Sequence, residues 1–129
     1  MTRLQLEGQD VATFLRGHNT IRDGFLRSLS IRPTGVEWDP VLDLVFHVPE
    51  GPEGQHYHLE LKGGLDFEHV FSTPNLLSPL AMVKCLWTEE GKFYLSLDPY
   101  DEREDFISLA DGDYFKSDWV RLTVGDDRR

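Results

Sequence analysis

The chain has one cysteine, Cys85, in 129 residues. No intramolecular disulfide is possible, so burial and hydrogen bonding have to hold the fold. Cys85 belongs to an apolar strand face, where a buried and inert thiol is expected. Long apolar runs are also lacking. No segment approaches the roughly 20 apolar residues of a membrane-spanning helix. The stretch Met1-Thr2-Arg3-Leu4-Gln5-Leu6-Glu7 has no apolar run of the kind a secretion signal carries. These absences predict a soluble, cytoplasmic protein. Basic residues are few: 13 Lys and Arg against 23 Asp and Glu, a net charge of −10. Such a chain repels phosphate backbones and anionic lipid, which argues against nucleic-acid and membrane partners. It suits solubility, or a basic protein partner. Catalytic signatures are missing too. Gly63-Gly64 follows a strand without a Lys-Ser/Thr pair, so it is no phosphate loop. There is no Gly-x-Ser-x-Gly elbow, no EF-hand spacing, and no interleaving of basic and aromatic residues for RNA or DNA. The expectation is a non-enzymatic protein.

What the chain does contain is strand alternation. Met82–Trp87 and Phe93–Leu97 flank Glu89-Glu90-Gly91. A three-residue loop sets Thr88 opposite Lys92, Trp87 opposite Phe93, Cys85 opposite Leu95 and Val83 opposite Leu97. All apolar partners then share one face, with Gly91 in the left-handed position. The same reasoning pairs Phe46 with Tyr57, Leu44 with Leu59 and Leu42 with Leu61, across a Pro49–Gly54 turn. Phe25–Arg32 reads as a strand with Phe25, Leu29 and Ile31 on one face, interrupted by Arg27. Asp66–Phe71 groups Phe67, His69 and Phe71, with His69 expected as a hydrogen-bonded core residue. Ser72–Leu80 reads as a loop with one helical turn, and Tyr114–Val124 as a last strand. Gln9–Arg16 carries a helical stripe of Val11, Ala12, Phe14 and Leu15, with Asp10 as N-cap and Gly17 as stop. Residues 1–8 form a short strand or a loose arm, and 125–129 a frayed tail. The fold predicted is a single, mainly β domain (α+β at the margin) with one wet face. It is an antiparallel meander of about six or seven strands, curved into a partial barrel or sandwich, with one short N-terminal helix.

Two sets of residues are candidates for function. The acidic stretch 98–113 carries Asp101, Glu102, Glu104 and Asp105. Phe106, Ile107 and Leu109 interrupt it, which predicts packing at an edge. With Trp38, in a loop bounded by Pro and Gly, these carboxylates form the candidate partner-binding surface. The second set is His56, His58 and Glu60, which alternation puts on one outward face, joined by His47 from the neighbouring strand. Two imidazoles and a carboxylate suit a divalent transition metal. The pair resembles the histidines of the cupin family, but Glu60 follows His58 by two residues, about 7 Å along a strand. The alternatives to protein binding are thus a metal- or small-ligand-binding β-barrel, and a structural or assembly subunit joined through an exposed edge strand.

The element order resembles a known group. A short helix precedes a turn ending in Asp23-Gly24, and the strand Phe25–Ile31 follows. Next come a long-loop hairpin, Leu59-x-Leu61-x-Gly63-Gly64, the aromatic-rich Phe67–Phe71 and a late Trp-bearing hairpin. This arrangement is similar to small bacterial immunity-type and uncharacterised β-rich proteins, among them the immunity-protein-50-like group. The resemblance implies a protein that binds and blocks a toxin and has no chemistry of its own. An acidic surface fits that role, since charge complementarity speeds encounter with a basic nuclease.

Overall fold

The computed structural model describes residues 4–35, 39–69 and 78–126. Trp38, Phe71 and the 72–77 part of the predicted loop lie outside the described residues. The elements are β1 (Leu4–Glu7), α1 (Gln9–Leu15), β2 (Phe25–Arg32), β3 (Val41–His47), β4 (His56–Lys62), β5 (Asp66–Glu68), β6 (Lys84–Trp87), β7 (Phe93–Asp98), β8 (Gly112–Ser117) and β9 (Trp119–Gly125). The protein is mainly β, with two antiparallel sheets, one short helix and, among the described residues, no closed barrel. Sheet A runs β1-β9-β4-β3-β2 and sheet B runs β5-β8-β7-β6.

The predicted registers hold where alternation is unbroken. Phe46 faces Tyr57, Leu44 faces Leu59 and Leu42 faces Leu61. Trp87 faces Phe93 and Cys85 faces Leu95. The turn between β6 and β7 is closed by Thr88 N–H to the Lys92 carbonyl at 2.8 Å and Gly91 N–H to the Thr88 carbonyl at 3.0 Å. Gly91 takes a φ of 78°, the left-handed conformation that glycine adopts without steric penalty.

Four expectations are corrected. Phe25 does not share a face with Leu29 and Ile31. In the β2–β3 ladder Leu26 faces Phe46 while Ser28 faces Val45, so Arg27 is the extra residue of a bulge. The bulge reverses parity, putting Leu26 in the row with Leu29 and Ile31 and leaving Phe25 opposite His47. Tyr114–Val124 is two strands, not one: β8 pairs in sheet B and β9 in sheet A, with the break at Asp118. This split, together with β1, raises the strand count to nine among the described residues. Asp10 is not the N-cap of α1. Gly8 holds that position, with no side-chain cap, and Asp10 lies in the first turn. Gly125 belongs to β9 and pairs with His56 rather than fraying.

The break at Asp118 is half of a corner. β4 leaves sheet A after Lys62, and β5 enters sheet B at Asp66, through Gly63-Gly64-Leu65. On the other side of the ladder, Lys62 faces Trp119 and Asp66 faces Lys116. One antiparallel ladder thus bends from one sheet into the other, tied by Asp118 N–H to the Gly63 carbonyl at 2.8 Å. Gly63 has a φ of 82°, and a Cβ there would lie 3.1 Å from the Asp118 Cβ, so a side chain would be both strained and crowded.

The core lies between the sheets. Leu42, Leu44, Phe46, Tyr57, Leu59, Leu61, Val120, Leu122 and Val124 from sheet A meet Cys85, Phe93, Leu95, Leu97 and Phe115 from sheet B. α1 closes one side with Val11, Ala12 and Leu15. Its Phe14 ring stands 6.3 Å from that of Tyr57, whose hydroxyl donates to the Asn19 carbonyl at 3.0 Å. No helix among the described residues is long and apolar enough to cross a membrane.

Candidate functional site

The outward face of sheet A is largely open to solvent, whereas much of the outward face of sheet B is covered. On sheet B, the side chains pointing away from the core include Lys84, Leu86, Tyr94 and Ser96, and all four are buried. The segment 99–111, between β7 and β8, lies against that face. It is pinned by one carboxylate. Asp111 Oδ2 accepts from Lys84 Nζ at 2.8 Å, the Tyr94 hydroxyl at 2.8 Å and the Ser108 N–H at 3.1 Å. Its Oδ1 accepts from the Tyr100 N–H at 2.9 Å. Lys84 Nζ also donates to Glu104 Oε1 at 2.9 Å and the Phe106 carbonyl at 3.0 Å. The two ends and the middle of the segment therefore converge on one buried ion pair.

The electrostatics follow from that convergence. Burial pushes the Asp111 pKa up, but Lys84, the Tyr100 and Ser108 N–H groups and the Tyr94 hydroxyl outweigh it and hold the group below the ordinary carboxylate value. Burial acts on Lys84 in the opposite sense, lowering its pKa, and hydrogen bonds to Asp111 and Glu104 leave it raised. Tyr94 is raised by burial first and by Asp111 second.

The predicted carboxylates divide accordingly. Glu104 is turned inward onto Lys84. Glu102 Oε2 lies 3.6 Å from Arg22 Nη1, and its Oε1 accepts from the Val83 N–H at 3.4 Å. Asp101 accepts from both the backbone N–H and the Nε of Arg103, which lowers its pKa. Asp105 is exposed. The acidic stretch does pack against the sheet, as its interruption by Phe106, Ile107 and Leu109 predicts, but through polar groups rather than through those side chains. Leu109 is fully exposed, Phe106 is 57 % exposed and Ile107 is exposed, while Tyr100 adds a ring at 70 %. The anchor is polar and the apolar side chains face water. The available signal was Lys84, a lysine within the apolar hairpin, with Asp111 set apart from the main acidic run.

The outward face of sheet A carries the second set. His56, His58 and Glu60 do share one face of β4, and His47 pairs with His56 from β3. Asp43, 7 % exposed, organises this face. It accepts from Arg32 Nε at 2.8 Å and lies 2.8 Å from His58 Nε2. Glu60 accepts from Arg32 Nη2 at 2.6 Å and Arg121 Nε at 3.0 Å. Trp119 lies between two cations, with Lys62 Nζ 5.2 Å and Arg121 Cζ 5.3 Å from its ring centroid. His58 and Glu60 are thus part of a charge ladder across β2, β3, β4 and β9. Asp43, Arg32 and Arg121, which hold it together, stand at outward strand positions in the sequence, but nothing in the letters pairs them with His58 and Glu60. Among the described residues, no group of three or more His, Cys, Asp or Glu side chains is placed to hold a metal ion.

A third feature lies at an open end between the sheets. A cleft of about 340 Å³ is bounded by Leu26 of β2, Leu97 and Asp98 of β7, Asp113 of β8, Glu68 and His69, and residues 78–81. His69 is hydrogen-bonded, as expected: its Nδ1 is 2.5 Å from Asp113 Oδ1, and its ring packs on Phe115 at 5.9 Å.

No family model, curated protein or solved structure matches the chain.

Proposed function

We propose that this protein is an acidic, non-enzymatic protein-binding domain that recognises a basic partner through the segment 99–111. The observation that carries the reading is the display of Tyr100, Phe106 and Leu109 to solvent on a segment fixed by Asp111 and Lys84. Exposed aromatic and aliphatic side chains are ordinarily expensive in solubility and are typical of interface anchors. A segment pinned from beneath loses little freedom on binding, so contact energy is not spent on ordering it. Asp101 and Asp105 add negative charge to the same segment, and the net charge of −10 favours encounter with a basic surface. In its narrower form, drawn from the immunity-type resemblance, the partner is a basic toxin that the domain blocks.

Affinity capture with native protein, followed by titration of the purified partner, tests the reading. Phe106→Ser and Leu109→Ser are expected to raise Kd by at least about tenfold each, as for truncated interface anchors. Glu104 is left intact because it serves the fold. A partner bound equally by the wild type and both variants would remove segment 99–111 as the docking surface.

A further inference from the structure

We propose that the cleft between the sheets receives a lysine or arginine side chain of the basic partner. The inference rests on the protein-binding reading above and adds a second, chemically distinct contact to it. The lining of the cleft is of two chemical kinds. Leu26, Pro79, Leu80 and Leu97 supply apolar wall. Glu68, Asp98 and Asp113 supply carboxylates, and no Lys or Arg is among the described residues that line it. A hydrocarbon stem ending in a cation matches that division, because such side chains bury their methylenes and keep the charge in a polar setting. A volume of about 340 Å³ is at the lower end of ligand pockets and suits one side chain rather than a large cofactor.

One of the three carboxylates is fixed in place. Asp113 is held by His69 Nδ1 at 2.5 Å, and the His69 side chain is only 6 % exposed. Asp113 has a φ of 49°, so its backbone takes the left-handed conformation at the start of β8. Burial raises the Asp113 pKa, His69 opposes that, and the charge of Asp98 adds to the rise. A bound cation would relieve the repulsion between Asp98 and Asp113. The position also fits the docking segment. Asp98 and Gly112 face each other across β7 and β8, at the two ends of 99–111. A basic partner seated on Phe106 and Leu109 has the cleft at the base of the same segment.

The test uses N-acetyl-arginine amide and N-acetyl-lysine amide as probes, with the neutral N-acetyl-citrulline amide as control, followed by NMR of the whole protein. Either cationic probe is expected to give saturable shifts of the His69 ring and the Leu26 and Leu97 methyls, with a Kd on the order of millimolar. Asp98→Asn and Glu68→Gln, both at exposed positions, are expected to weaken that binding at least fivefold, and citrulline is expected not to bind. Absence of saturation by both cations, or shifts unaffected by both variants, would overturn the proposal. Leu109→Ser separates the two readings. It is expected to leave probe binding unchanged while weakening the partner. Partner loss with Leu109→Ser alone, and none with Asp98→Asn, would retain the docking segment and reject the cleft.

Discussion

Lys84 occupies a strand position that alternation turns away from the core, yet it is 1 % exposed and faces two carboxylates. Its removal would leave Asp111 buried without its countercharge. Lys84→Ala is therefore expected to destabilise the protein by about 3–5 kcal/mol, the range for breaking a buried pair. Urea unfolding measures this, and proteolysis should cut first within 99–111. A loss below about 1 kcal/mol would mean that the segment is held by something other than the Lys84–Asp111 pair. Cys85 makes a different prediction. Burial pushes its thiol up to about 12, while an unfolded thiol titrates near 8.5. The folded pKa lies above the unfolded one, so the stabilisation is complete below about pH 8.5 and is lost as pH rises towards the folded value. Stability should fall from about pH 8.5 with a slope approaching 1.4 kcal/mol per pH unit. In Cys85→Ala that first decline should vanish. Its fall should begin near pH 10, where unfolded tyrosines ionise, because Tyr57 is pushed up to about 12 by burial and Tyr94 is also raised. An unchanged pH profile in the variant would place the alkaline loss elsewhere.

At the scale of the element, the ladders that could be read ahead of the structure are those with both partners in strict alternation. Leu42, Leu44 and Phe46 against Leu61, Leu59 and Tyr57 admit one register, because a slip of one residue exposes every member. The misread elements are those where parity changes. Arg27 inserts a residue into β2 without any Gly or Pro to mark it. At Asp118 the buried row passes from Phe115, an odd position, to Val120 and Leu122, even positions, and that shift, with Gly63-Gly64 on the facing chain, is the letter-level sign of the corner. The bulge has a consequence for the edge it sits on. β2 is the last strand of sheet A, with Ile31 55 % exposed, and bulges keep such edges from pairing with other chains. Deleting Arg27 would set Leu26 and Ser28 in regular register against Phe46 and Val45, so the fold should survive with an unchanged circular dichroism spectrum. The regularised edge should then self-associate. Light scattering after gel filtration is expected to show concentration-dependent dimers in the deletion variant and fewer in the wild type. Identical behaviour would deny the bulge a protective role.

For the whole molecule, the sequence made the acidic stretch and the net charge of −10 plain but not which side chains are displayed. Alternation governs strands, and 99–111 is not one. Its orientation is set by contacts between residues distant in sequence, Lys84 with Asp111 above all. The outward face of β4 was legible for the opposite reason, since His56, His58 and Glu60 lie in a strand. Their ion-pair partners from β2, β3 and β9 were not. The charge and the anchors should separate in kinetics. Net charge acts at long range, before contact, and is screened as the Debye length falls from about 10 Å at 0.1 M salt to about 3 Å at 1 M. Apolar anchors act only once surfaces meet. With a basic partner of the proposed kind immobilised, raising salt should slow association by about tenfold or more while dissociation changes little. Phe106→Ser and Leu109→Ser should do the reverse, speeding dissociation at nearly constant association rate. An association rate that ignores salt would mean that the acidity of this protein serves its solubility and not its encounter with a partner.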